Sequence, residues 1–350
     1  MKKTLATIAS AMILITGANA MSSKTQTIEQ DLPKNVVTQW DKVFAKSEKV
    51  DHKKVAFKNR YGITLVGDLY TPKNMSGKLP AIAISGPYGA VKEQSSGLHA
   101  QTLAERGFVT LAFDGSFTGE SGGEVRDISS PDINTEDFSA AVDYLGLQDF
   151  VDREKIGILG ICGWGGFALN AAIADTRIKA VVATTMYDMT RVTAKGYNDS
   201  VDKNARYEAK KALNLMRWTD AENGKTSYPT NGLSQVKDDD ALFLREYKDY
   251  YRTDRGFHKR SLNSNGAWSN TNAIIAMSDK ILTYADELRA PVLVAHGEIA
   301  HSRYFGEDAF KAFGSKNKEL FIVKGANHTD LYDKKIPFDK FEEFFKANLK

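Results

Sequence analysis

The 350-residue chain predicts an α/β fold: a doubly wound, mostly parallel sheet with a helical cap insertion. Three observations carry this. From residue 81 onward, short apolar runs of strand length recur, too apolar for strands with one wet face. Helix-period segments separate the early runs, so strand and helix alternate. The alternation stops after residue 187 and resumes near residue 290, as a helical insertion would have it. Composition agrees with a large globular core, at 42% hydrophobic and 26% charged residues. The formal net charge of +3 is too small and too dispersed for a nucleic-acid surface, so nucleic acid is not an expected partner.

The chain opens with Met1-Lys2-Lys3, an apolar stretch from Leu5 to Thr16, and Ala18-Asn19-Ala20, the three parts of a secretory signal peptide. Cleavage is expected after Ala20. The apolar stretch is shorter than the roughly 20 residues of a spanning helix, which ranks an uncleaved anchor second. No second run of spanning length follows, so a periplasmic or secreted protein without stable membrane insertion is expected. Residues 21–50 read as a polar linker and one packing helix around Val36, Trp40, Val43 and Phe44.

The core is expected over 51–188 and 290–350. Alternation around Val55 and again from Thr64 to Tyr70, with a turn at Asn59 to Gly62, predicts an antiparallel opening. Buried strands follow at Ala81 to Ile84, Val109 to Phe113, Ile156 to Ile161, Ala180 to Ala183, Val292 to Ala295 and Leu320 to Val323. Helices are expected at Leu98 to Arg106 and Thr135 to Leu145. Residues 189–289 form the predicted cap, with helical signals at Asn204 to Arg217 and Asp240 to Tyr251 and a turn-rich stretch between them.

Chemistry concentrates at Gly160-Ile161-Cys162-Gly163-Trp164-Gly165-Gly166, where an apolar strand runs through a glycine-rich turn into a helix. Such a turn is a nucleophile elbow, with Cys162 in the reactive place. The N-terminus of the following helix is expected to favour its thiolate. Trp164 stands where a small residue is usual, so it either reshapes the elbow or leans into the substrate pocket.

These residues resemble the α/β-hydrolase superfamily over about residues 50–350, and within it the dienelactone hydrolase-like enzymes, whose elbow carries Cys in a Gly-x-Cys-x-Gly-Gly run. A related branch of fungal polyketide transferases and thiohydrolases carries Gly-x-Cys-x-Ser-Gly-Gly. Here Trp164 takes that Ser place, which excludes a serine nucleophile in this turn. Asp114-Gly115-Ser116, continuing to Gly123, is similar to the Gly-x-Ser loop after the superfamily's fourth strand.

The resemblance implies a base in the loop after the last strand, which His328 in Gly325-Ala326-Asn327-His328 supplies. The orienting acid is open between Glu298, after the Val292 strand, and Asp188, after the Ala180 strand. Oxyanion donors are expected at the amides of Gly163 and of Tyr88 or Gly89, since Pro87 has no N–H. In the cap, aromatics and cations interleave from Tyr247 to Arg260, making Arg252 and Arg255 candidate anion contacts and Tyr88 and Trp164 candidate pocket walls.

No Walker loop, dinucleotide spacing or Cys/His zinc spacing appears, so neither a cofactor nor a metal is expected. The expected function is an exported hydrolase of an ester, thioester or lactone, working on a small-molecule acyl substrate through a Cys-based acyl-enzyme. Acyl transfer on the same fold and a non-catalytic exported binding protein are the alternatives.

Overall fold

The computed structural model describes residues 29–230 and 232–350. The expected signal peptide, 1–20, lies outside them. Among the described residues no helix is long and apolar enough to cross a membrane.

Eight strands form one sheet: β1 (Val50–Lys58), β2 (Thr64–Pro72), β3 (Leu79–Ser85), β4 (Val109–Phe113), β5 (Val151–Ile161), β6 (Ala180–Thr184), β7 (Val292–Gly297) and β8 (Lys318–Val323). Their order is β1-β2-β4-β3-β5-β6-β7-β8. β2 runs antiparallel to β1 and β4, and every other neighbouring pair is parallel. The all-buried β4 and β6 are the strands whose sequences carry no polar alternation, because helices cover both faces.

Helix α1 (Ser95–Glu105) returns the chain from β3 to β4, whereas α2 (Pro131–Gly146) and α3 (Gly163–Ala174) carry it in the opposite direction along the sheet. Right-handed crossovers therefore put α1 on one face and α2 and α3 on the other. The sheet reverses direction at β3 and β5, and the loops following these two strands carry the site, the usual place for a ligand crevice.

The cap comprises α4 (Met189–Lys195), α5 (Lys203–Glu222), α6 (Leu242–Arg252), α7 (Leu262–Asn265) and α8 (Ala273–Ala276). Beyond it, α9 (Arg303–Ala312) links β7 to β8, and α10 (Asp330–Asp333) and α11 (Phe338–Asn348) close the chain.

The helix expected around Val36 to Phe44 does not form. That segment is irregular, because its amides bond outward: the Val37 N–H donates to the Glu120 carboxylate at 2.8 Å and the Val43 N–H to the Glu93 carbonyl at 3.0 Å. It thereby joins a buried ionic network. Fully buried Lys92 donates to Asp114 and Glu120 at 2.7 Å each and lies 3.0 Å from Glu93. Lys54 reaches Glu93 and Glu120, Lys42 reaches Asp68, and Arg260 of the cap lies 2.9 Å from Glu93. Such a network adds little net stability. Its effect is positional, since it ties the cap and the N-terminal segment to the loops that follow β3 and β4.

Candidate active site

β5 ends at Ile161 and α3 starts at Gly163, so Cys162 makes the whole turn, at φ 58° and ψ −127°. A non-glycine residue there is strained by about 1–3 kcal/mol and is held only by its surroundings. The holding bonds are present: the Cys162 N–H donates to Thr184 at 3.0 Å, and its carbonyl accepts from Gly165 and Tyr187 at 2.9 Å each. Close approach of α3 to β5 requires Gly160, where a Cβ would meet the Trp164 carbonyl at 2.2 Å.

The thiol is buried. Burial pushes it above the usual cysteine range, against interactions with the Tyr332 hydroxyl and the Tyr88 and Gly163 amides, which draw it down. This stands against the expected thiolate: removal from water outweighs those interactions. The two amides facing the sulfur are those expected of an oxyanion hole. Gly89, the alternative donor, is instead held through its carbonyl, which accepts from Ser261 Oγ at 2.9 Å and from the Asn263 amide at 3.2 Å.

His328, in the loop between β8 and α10, is wholly buried. Its Nε2 lies 2.9 Å from Tyr332 Oη, and its Nδ1 lies 2.5 Å from Ser302 Oγ and 2.9 Å from Thr185 Oγ1. The Thr185 hydroxyl also donates to the His328 carbonyl at 3.2 Å, leaving its oxygen to accept from Nδ1–H. That pattern assigns Nε2 as the acceptor from Tyr332. Burial first, then the neighbouring His301 and His296, hold the imidazole well below the usual histidine range, so it is neutral at pH 7.

Both expected acids are placed elsewhere. Asp188 caps α4, accepting from Thr190 Oγ1 at 2.6 Å and the Arg191 N–H at 2.8 Å. Glu298 is exposed and accepts from the Gly325 N–H at 2.8 Å. Among the described residues, the His328 ring bonds hydroxyls and no carboxylate. The loop after β7 does supply the Nδ1 partner, but as Ser302 rather than an acid.

The cationic contacts are corrected as well. Arg255 pairs with Asp333 at 2.6 Å, bonds Asp249 at 2.9 Å and donates to the Thr329 carbonyl at 2.9 Å. Arg252 donates to the Ser264 carbonyl. Both are occupied with bracing the cap. Trp164 leans neither outward nor across the thiol but inward, edge-on to Phe113, Phe138 and Phe167. Gly115 makes room for it, since a Cβ there would lie 2.2 Å from the indole. One edge of the indole still lines a small cavity with Tyr88 and Trp268.

Tyrosines crowd the centre. Tyr187, Tyr247 and Tyr332 pack within 5.3–5.4 Å of the His328 ring centroid. Of these, Tyr332 lies four residues after His328, a one-turn spacing that the sequence displays. Ser302 and Thr185 carry no comparable signal, because a lone hydroxyl after a strand is ordinary.

The model of the X-Pro dipeptidyl-peptidase (S15) family matches residues 61–326. The chain belongs to this family. Uncharacterized protein PA2218 of Pseudomonas aeruginosa is 54% identical, over 98% of this chain and 94% of that protein. Its crystal structure superimposes with a TM-score of 0.88, covering 91% of this chain and 99% of that one at 56% identity. Thiohydrolase aneE of Aspergillus aculeatus is 31% identical over 39% of this chain and 42% of its own length. The α/β hydrolase GrgF of Penicillium sp. sh18, at 20% identity, shares the fold with a TM-score of 0.68 over 85% of this chain and 99% of its own. This S15-family chain thus carries the mostly parallel sheet of an α/β-hydrolase-type enzyme.

Proposed function

We propose that the chain is an acyl-enzyme hydrolase or acyltransferase acting on thioesters, esters or lactones, with Cys162 as nucleophile and His328 as base. The observation that carries this is the convergence at one strained residue: a thiol at φ 58°, two backbone amides facing it, and a Tyr332 hydroxyl shared between it and His328. The S–H proton passes to Tyr332 Oη as the Tyr332 proton passes to Nε2. Sulfur bonds to the acyl carbon, the carbonyl electrons move onto oxygen, and the Gly163 and Tyr88 amides hold the oxyanion. Collapse breaks the bond to the leaving group, which takes up the proton from His328. The neutral imidazole then deprotonates water or another nucleophile, whose attack releases the acyl group, and that proton returns through Tyr332 to the departing Cys162 sulfur.

The resting pair is neutral thiol and neutral imidazole, and among the described residues no carboxylate bonds the His328 ring to steady the imidazolium. That weakens proton donation to a leaving group. A thiolate can depart before the imidazolium proton reaches it and an amine cannot, which favours thioesters over peptides, in keeping with the thiohydrolase among its relatives. The family name supports a second reading, removal of a dipeptide ending in proline. Export after cleavage at Ala20 is part of the proposal, and intact-mass measurement of periplasmic material beginning at Met21 would support it.

A panel of neutral thioesters, aryl esters, lactones and an Ala-Pro anilide, offered to wild type and Cys162→Ala, separates these readings. Thioester turnover that Cys162→Ala abolishes is expected. Anilide cleavage exceeding thioester cleavage would favour the peptidase, and turnover undiminished in Cys162→Ala would remove the proposed nucleophile.

A further inference from the structure

The cap contains an open cleft of about 750 Å³ between the stretches at 229–230 and 232–236, α6 and the stretch at 262–273. We infer that this cleft is the acyl-chain site and that it takes an uncharged, extended apolar acyl group. The inference rests on the acyl-enzyme reading above.

One face of α6 runs from the cleft to the reacting atoms. Leu244 lines the cleft. Three residues on, Tyr247 packs 5.3 Å from the His328 ring. Seven on, buried Tyr251 packs 6.4 Å from the Tyr247 ring and 6.2 Å from that of Tyr332. Positions i, i+3 and i+7 share a helix face, so these three form one continuous wall.

The opposite wall leads to the same place. Asn263 lines the cleft and donates to the Tyr88 carbonyl at 2.8 Å, while Asn272 donates to the Tyr88 hydroxyl at 3.0 Å. Trp268 stacks on the Tyr88 ring at 4.2 Å. The inner end of the cleft is therefore the outer side of the residue whose amide faces the thiol, and the Tyr88–Trp268 stack lines it.

Charge sets the ligand class. Leu233, Val236, Leu244, Leu262 and Trp268 supply an apolar lining, and among the described lining residues the one charged side chain is Asp240. It repels a carboxylate. Lys248 is engaged with the carbonyl of the lining residue Val236 at 2.6 Å, and Arg252 and Arg255 are engaged elsewhere.

The test uses N-acetylcysteamine thioesters of acetate, hexanoate and octanoate, and the monothioester of glutarate. Calorimetric binding to the full-length Cys162→Ala protein is read beside wild-type kcat/KM. Affinity should rise about fourfold for each methylene buried, making octanoyl at least about 50-fold tighter than acetyl, with glutaryl no tighter than acetyl. Adding Leu244→Asp should collapse the octanoyl preference to under about threefold, the loss of those buried methylenes. Trp268→Ala provides the same readout should that variant fail to fold. Wild-type turnover with no chain-length preference, or a preference for glutaryl, overturns the cleft assignment and leaves the acyl-enzyme reading standing. Chain-length-dependent binding without turnover of any thioester does the reverse.

Discussion

Replacing Tyr332 with Phe removes a single oxygen, the one that lies 2.9 Å from His328 Nε2 and also contacts the Cys162 thiol. The ring remains to fill its space against Tyr250 and His328. Stability should fall by only about 1 kcal/mol, the net worth of a typical hydrogen bond. Turnover should fall much further. Without Oη the thiol and the imidazole have no shared hydroxyl through which to exchange a proton, and loss of a positioned proton-transfer group costs about 10²–10⁴-fold.

The diagnostic assay is the pH dependence of Cys162 alkylation, followed beside kcat/KM on a neutral thioester. Burial holds the wild-type thiol above the usual cysteine range and keeps His328 neutral. The alkylation rate should therefore climb steadily from pH 6 to 9, without the neutral-pH plateau of a thiolate–imidazolium pair. Since the Tyr332 hydroxyl draws the thiol down, Tyr332→Phe should move this curve to higher pH and slow alkylation at pH 7. A variant that keeps more than a tenth of wild-type kcat/KM, or alkylates faster at pH 7, would show that Tyr332 blocks the site rather than relaying a proton.

Further outcomes follow from the same geometry. The double variant Ser302→Ala with Thr185→Val leaves the buried Nδ1–H without its acceptors and should lower kcat/KM by about 10–100-fold, the equivalent of 1–3 kcal/mol; Glu298→Gln, remote from the ring, should stay within about twofold of wild type, well inside the ordinary range of a surface change. Gly115→Ala drives a Cβ into the Trp164 indole and should lower Tm, whereas adding Trp164→Phe should recover part of the loss if overpacking is the cause. Buried His99 and His296 and half-buried His301 are held down at about 4, 3 and 4, below the ordinary 6.5, so the unfolded chain takes up their protons first. Their stabilisation is whole above pH 6.5 and is lost as the pH falls toward 4, by roughly 3–4 kcal/mol per pH unit for the three together. Urea melts at pH 7, 6 and 5 measure it, and a flat profile would refute the neutral-histidine assignment.

Much of the fold was legible because burial on both faces leaves a plain mark. The runs at Val109–Phe113, apolar but for Thr110, and Ala180–Ala183, apolar throughout, fall within β4 and β6. The strand-to-helix turn at Cys162 showed itself through glycines that permit close approach. The irregular segment at 36–44 was misread because amphipathic spacing says nothing about partners: Glu93 and Glu120, fifty or more residues away, take its amides. The acid was misread for a related reason. A carboxylate after β7 or β6 looks alike in sequence whether it faces a histidine, as expected of Glu298 and Asp188, or a backbone amide, as both do. Arg255 illustrates the same limit, since its cationic, aromatic neighbourhood concealed three bracing bonds.

The central claim is that a covalent acyl group passes through Cys162. Rapid quenching of wild type with a stoichiometric octanoyl thioester, followed by digestion and peptide mass spectrometry, tests it directly. The peptide containing Cys162 should carry the octanoyl mass at early times and lose it as free acid or transferred product appears, and Cys162→Ala should show neither adduct nor product. Product formation with no adduct on Cys162 at any time, or an adduct on another residue that turns over at the same rate, would contradict the account.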